Sequence, residues 1–239
     1  MFRHQGKTRT AKHNLQIASL LSFVAGIVNV AGFLAVQKLT TNVTGHFAFF
    51  VDAVFQYQFW NGFVYFLYIF FFFLGAFVSS FLVEAVARKN ENTTYIVPIV
   101  IEIVLLLFIA IVGKILIENY ANVIAYTLLF SMGLQNSLVT KISNSIVRTT
   151  HLTGLFTDLG IELAQLFFYK QFDLRQKLFS SIRLRLTIIS FFFVGVIIGV
   201  LFYAEIQLKV LIIAVSVLFL GLIYDYLKFK IILINRKLH

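Results

Sequence analysis

The chain has 239 residues, of which 60% are hydrophobic and 13% charged, and 29 of them are phenylalanine. A water-soluble domain of this size could not bury so much apolar surface, so lipid is the solvent for most of it. The formal charge of +10 falls between long apolar runs rather than on one face, which speaks against nucleic acid, and the lack of cysteine excludes disulfides, cysteine-ligated metals and a thiol nucleophile.

In chain order, six apolar runs approach the roughly 20 residues that a helix needs to cross a hydrocarbon core of about 30 Å. They cover residues 15–37, 63–87, 95–113, 121–139, 186–204 and 210–227. Stretches such as "YIFFFFLGAF" and "IEIVLLLFIAIV" are apolar on every side, so the period-two alternation of a membrane β-barrel is missing and the spans read as helices. The first run follows a basic start but outlasts the h-region of a signal peptide, about 7–15 residues, and lacks an A-x-A-like cleavage site, so it is expected to stay as an anchor.

Basic residues orient the bundle, because basic flanks are retained in the cytoplasm. With the N-terminus inside, Arg3, Lys7, Arg9, Lys12, Arg88, Lys89, Lys141, Arg148, Lys170, Arg175, Lys177, Arg183, Arg185, Lys228, Lys230, Arg236 and Lys237 lie on the cytoplasmic side. Only Lys38, Lys114 and Lys209 lie opposite. Six spans with both termini in the cytoplasm follow.

Between spans one and two, "TTNVTGHF" at residues 40–47 recurs 109 positions later as "TTHLTGLF" at residues 149–156. Other features recur in the same order. "GIVN" and "GLQN" precede the two turns, and "FFFLGAFVS" and "FFFVGVIIG" follow them, carrying the small-residue pairs Gly75 with Ser79 and Gly195 with Gly199 that allow close helix approach. Three spans per half is an odd number, so the halves, about 15–117 and 121–234, enter the membrane with opposite orientation. The expected fold is all-α: one integral membrane domain of two inverted three-helix repeats. Each turn leads into a short half-helix or re-entrant segment, "HFAFFVDAVFQYQ" after span one and "LFTDLGIELAQLFFYK" after span four.

The candidate binding residues are Asn29, Thr40, Thr41, Thr44, Gly45 and His46 in the first half. In the second they are Gln135, Asn136, Thr149, Thr150, Thr153, Gly154 and Asp158. Thr44 and Thr153 read as N-caps, with Gly45 and Gly154 opening helices whose free N–H groups and positive dipole suit an anion or a polar carbonyl. The competing reading of the second short segment is an amphipathic helix on the membrane surface, with Asp158, Glu162 and Gln165 facing water. Asn29 and Asn136 occupy equivalent places in spans one and four, where an amide either binds a substrate or joins helices by a hydrogen bond worth roughly 0.6–2 kcal/mol. Glu102 is the carboxylate placed well inside a span and, with Asp52, is the candidate for proton or ion coupling. Arg148 reads either as a partner for Asp158 or as an orientation determinant; Glu84, Asp225 and Glu205, at span ends, read as solvated. No enzyme signature is found: no H-E-x-x-H, P-loop, G-x-S-x-G or paired carboxylates, hence no catalytic residue, metal ligand or cofactor is expected.

The stretch "GLQNSLVTKISNSIVRTTHLTGLFTDLGIEL", with "AGIVNVAGF" and "VTGH" upstream, resembles the YoaK family of bacterial six-span membrane proteins. The resemblance covers most of the chain and implies the fold and the cytoplasmic membrane, with no established substrate. Family members often carry Asp where this chain has Asn29, and Asn where it has His46, so a carboxylate of the family is a neutral amide here. The expectation is a transporter or channel-like protein for a small polar or ionic solute, its path between the repeats. The alternative is a non-transporting scaffold or lipid-interacting protein. The expected partners are the bilayer, an unidentified small solute and, through the small-residue faces, a second copy of the chain.

Overall fold

The computed structural model describes residues 1–2, 9–88 and 93–237, with side chains described as far as residue 231. Arg3, Lys7 and Lys89, expected on the cytoplasmic side, lie outside the described residues, as do the side chains of Arg236 and Lys237. Helices α1 (Ala11–Val36), α2 (Thr44–Phe55), α3 (Phe59–Ala87), α4 (Ile96–Asn119), α5 (Ala121–Ile142), α6 (Leu152–Phe168), α7 (Phe172–Ile206) and α8 (Leu211–Lys237) follow in order. No strand occurs among the described residues.

Local chemistry places the ends. Thr10 accepts the His13 N–H while the His13 ring accepts the Thr10 N–H, a reciprocal cap that starts α1 four residues before the apolar run. Pro98 falls in the first turn of α4, where a missing N–H costs nothing. Tyr120 alone separates α4 from α5. Five stretches among the described residues are long and apolar enough to cross a membrane, and the last of them, Phe172–Ile231, contains α7 and most of α8. A 3-10 turn at Gln207–Val210 divides it, with Gln207 at φ 50° and ψ −135°, a backbone that no α-helix accommodates. With 35 residues, α7 is about 52 Å long and overshoots a core of about 30 Å, so the charged part ahead of Leu186 is helix rather than loop.

The two most extensive helix pairings are α1 with α7 and α3 with α5, and both are made by glycine. A Cβ added at Gly26 would lie 2.2 Å from the Phe192 carbonyl oxygen, and one at Gly195 2.2 Å from that of Phe23. At the other crossing, Gly133 faces the Phe72 carbonyl oxygen at 2.1 Å and Gly75 that of Phe130 at 2.1 Å. Each glycine thus rests on the backbone three residues before its partner glycine, and within each pair the helices run parallel. The small-residue faces are therefore occupied inside the chain. Helices α1 and α5 are mostly buried, while α3, α7 and α8 present apolar surface outward. On α3, Phe66 stacks on Phe70, and Phe73, Phe77 and Phe81 stack in sequence along an exposed stripe that only lipid would solvate.

Candidate functional site

Both turns are bracketed to the helix before them by the same contact. The Thr41 hydroxyl donates to the Asn29 Oδ1 at 2.8 Å, and Asn136 Nδ2 donates to the Thr150 hydroxyl at 2.7 Å. The preceding threonines are buried as well: Thr40 donates to the Val28 carbonyl at 3.1 Å, and Thr149 donates to Asn136 Oδ1 at 3.2 Å and accepts from Gln135 Nε2 at 3.3 Å. Asn29 and Asn136 thus hold the chain where it leaves α1 and the region after α5, which frees the short helices α2 and α6 to start at a fixed place. Gln135 also reaches across to α1, donating to the Leu21 carbonyl at 3.1 Å. Leu21 lies eight residues before Asn29, about 12 Å along the helix, so the described bonds join each candidate set internally and leave the two sets at different depths.

The caps differ from the sequence expectation. Helix α2 begins at Thr44 itself, and the acceptor is Asn42, whose Oδ1 takes the N–H groups of Thr44 at 2.9 Å and Gly45 at 3.4 Å. An Asn amide oxygen is at least as good a cap as a threonine hydroxyl, and it wins here. Helix α6 begins at Leu152 after His151, so Thr153 is already helical. A Cβ at Gly154 would meet the ring of the exposed His151, whose Cδ2 lies 2.3 Å from its place, so alanine there would turn that ring aside.

His46, a candidate binding residue, is buried in the first turn of α2. Its Nε2 pairs with the Leu39 carbonyl of the preceding turn at 2.8 Å, and its ring lies 4.9 Å from that of Tyr68 on α3. Burial, with Lys38 nearby, outweighs the Leu39 hydrogen bond and keeps the imidazole below its usual range. Asp52 is exposed and accepts from Gln56 at 3.0 Å.

In the second half, the Glu162 side chain is largely buried, while that of Asp158, expected with it to face water, is half exposed. They meet Arg185 of α7, which donates to Asp158 at 2.9 Å and to both oxygens of Glu162 at 2.8 and 2.9 Å, while Ser181 donates to Glu162 at 2.6 Å. Partial burial raises the Glu162 carboxyl, but the Arg185 and Ser181 hydrogen bonds and the Arg185 charge outweigh it and leave the group below its usual range. Arg148 is exposed, and the partner of Asp158 is Arg185, 27 residues away, a pairing that no local spacing signals. This clamp closes one side of a cleft of about 520 Å³ lined by Arg148, His151, Gly154, Asp158, Ser181 and Arg185. A further groove of about 540 Å³ exposes Asn136 beside Lys141 and Ser145.

Glu102 is fully buried on α4, and neither carboxylate oxygen has a partner among the described residues. Gln135 Oε1 and the hydroxyls of Ser22, Ser79 and Ser131 are also buried and unmatched. Asp225, expected at a solvated end, is instead buried and accepts from the Met1 amine and, at 3.2 Å, from the Phe2 N–H.

Long apolar helices that turn phenylalanine outward and keep amides, hydroxyls and an acid inside define a polytopic helical membrane protein. The chain matches the family model described as "Protein of unknown function (DUF1275)" over residues 17–224, and it belongs to that family, of which the YoaK proteins are part. No curated protein and no solved structure matches it.

Proposed function

We propose that the protein is a transporter or channel-like conduit for a small polar or ionic solute in the bacterial cytoplasmic membrane. Six spans form two inverted repeats, residues about 15–117 and 121–234, with both termini cytoplasmic and the path between the halves. Gly26 and Gly133, and Asn29 and Asn136, stand at the same offset of 107 positions; each asparagine bonds a threonine of its own half, and each glycine packs on a helix backbone of the other half. The break at Gln207 supplies the fifth and sixth spans from the last apolar stretch. The observation that carries the reading is the acid at Glu102: an intramembrane carboxyl with no hydrogen bond among the described residues, in a core that also holds an unmatched amide oxygen and three unmatched hydroxyls, is costly unless a proton, ion or solute uses it. Glu102 is the coupling group in this reading, with Asp52 at the outer end, and the two Thr-Gly turns bind solute at the outer and inner ends. The chain needs no catalytic residue, metal or cofactor for this role.

Flux of candidate ions and small polar solutes in proteoliposomes tests it. Glu102→Gln, Asn136→Ala and Thr153→Ala should each change a flux that the wild-type chain supports; three variants with unchanged flux would remove this site. Orientation is tested separately by placing single cysteines at the exposed positions Thr44 and Thr153 and labelling intact cells with a membrane-impermeant maleimide. Only the first should react; equal labelling overturns the inverted arrangement. The second reading, a non-transporting scaffold, is favoured by one observation: Asn29 and Asn136 are both engaged by threonines of their own half. It predicts no solute flux at all and loss of stability in the asparagine variants.

A further inference from the structure

Where α1 and α7 begin side by side, a cleft of about 840 Å³ opens between them. Arg9 and Lys12 line it from the start of α1, and Lys177 and Arg183 from the extension of α7. These cations served above only as orientation determinants, and no carboxylate lines the cleft among the described residues. Asp158, which lines the adjoining cleft, and Glu162 are already engaged by Arg185. Ser180 and Ser181 add hydroxyls, and Phe179 and Leu184 supply an apolar wall. Arg9 is partly buried, desolvation pushes its guanidinium down to about 10, and its Nε donates to Asn14 Oδ1. Lys12, Lys177 and Arg183 are exposed, and like charges that line one cavity repel one another and focus a positive field there.

The position of the cleft selects the anion. In α1 the polar start gives way to the apolar run at Leu15, and in α7 the charged extension gives way at Leu186. Because the two helices run parallel and cross through Gly26 and Gly195, both transitions meet at one level, the headgroup zone of the cytoplasmic leaflet. We propose that this cleft binds the phosphodiester headgroup of an anionic phospholipid. The phosphate sits among Arg9, Lys12, Lys177 and Arg183, the headgroup hydroxyls reach Ser180 and Ser181, and an acyl chain follows Phe179 and Leu184 toward the membrane. The site rests on the proposed membrane location and orientation and is independent of transport.

The test uses the full chain purified in a neutral detergent and stripped of lipid. Thermal melting is measured with phosphatidylglycerol, with phosphatidylcholine and with millimolar inorganic phosphate. Phosphatidylglycerol should stabilise the chain, phosphatidylcholine should do so far less, and inorganic phosphate should not replace the lipid. Lys12→Gln with Arg183→Gln removes two exposed cations from the cleft and should weaken phosphatidylglycerol binding on the order of 30-fold, from about a tenfold loss for each 1.4 kcal/mol and about 1 kcal/mol for each basic residue. Lys170→Gln with Arg88→Gln, which removes the same charge outside the cleft, should leave binding within a few-fold of wild type. Equal losses in the two double variants would overturn the site, as would equal stabilisation by the two lipids or full substitution by inorganic phosphate. Native mass spectrometry of the wild-type chain gives a reading independent of any variant: phosphatidylglycerol adducts should outlast phosphatidylcholine adducts at equal loading, and equal retention overturns the proposal.

Discussion

Adding one methyl group at Gly133 tests whether the glycine crossings hold the bundle together. The new Cβ would lie 2.1 Å from the Phe72 carbonyl oxygen and 3.0 Å from the Ala76 nitrogen, both of them backbone atoms that cannot rotate away. Non-bonded carbon contacts settle at about 3.5 Å or more, so α3 and α5 must part by roughly 1 Å, a gap that forfeits about a quarter to a half of the dispersion energy of the pairs it opens. Overpacking of this kind costs about 1–3 kcal/mol. A clash with backbone falls in the upper part of that range, about 2–3 kcal/mol, and since replacing a helical glycine with alanine returns up to about 1 kcal/mol of propensity, the net loss is about 1–2 kcal/mol. For a chain of this size each kcal/mol moves the melting temperature by about 2–4 °C. The assay is loss of the monodisperse size-exclusion peak after heating in detergent, because a chain without cysteine gives no signal with a thiol dye. Gly133→Ala and Gly26→Ala should each melt several degrees lower, and together their effects should add, since they sit at different crossings. Gly133→Ala with Gly75→Ala should add less, because both strain one crossing. Gly160→Ala is the control: nothing lies within 4 Å of its added Cβ, and it should melt at or above wild type. A Gly133→Ala chain as stable as wild type, or a Gly160→Ala chain that loses as much, would refute the reasoning.

Asn136→Ala strands Thr149 and Thr150 and should cost about 1–3 kcal/mol, whereas Asn29→Asp keeps the acceptor for Thr41 and should cost clearly less in the same melting assay. Arg185→Gln should release α6 from α7, seen as faster amide exchange across Leu152–Phe168, and its coupling to Glu162→Gln in a double-mutant cycle should reach about 1–3 kcal/mol. The His46 imidazole is depressed below its unfolded value of about 6.5, so the unfolded chain binds more protons just below that pH. The stability His46 contributes is therefore complete above about pH 6.5 and is lost as pH falls through the folded value, and a His46→Gln chain should show a flatter acid limb in melting temperature against pH.

Which parts were legible in advance follows from the range of the forces. The positions of the long helices could be read because an apolar run of sufficient length is a local property, and the two Thr-Gly turns stood out because they interrupt it. The charged stretch 172–185 lies outside the apolar run that marks the fifth span, and it is helix continuous with that span, with Ile182 buried and Arg185 bonded to α6. Thr44 and Thr153 were reasonable caps by residue type, but Asn42 competes for the first and the backbone enters α6 earlier at the second. The burial of His46 and Asp225 had no sequence signal, since the rings and amines that cover them come from other elements. Arg185 was missed as the partner of Asp158 and Glu162 for the same reason.

The sequence by itself determined the solvent, the order of the apolar helices and the polar residues interrupting them, because transfer from water to lipid depends on local composition. Tertiary structure alone decided that Gly26 meets Gly195 and Gly133 meets Gly75, that Arg185 clamps α6, and that Arg9, Lys12, Lys177 and Arg183 share one cleft. Close packing and hydrogen bonding act over a few ångströms and depend on direction, and residues far apart in the chain come within that reach only once the helices have chosen their neighbours.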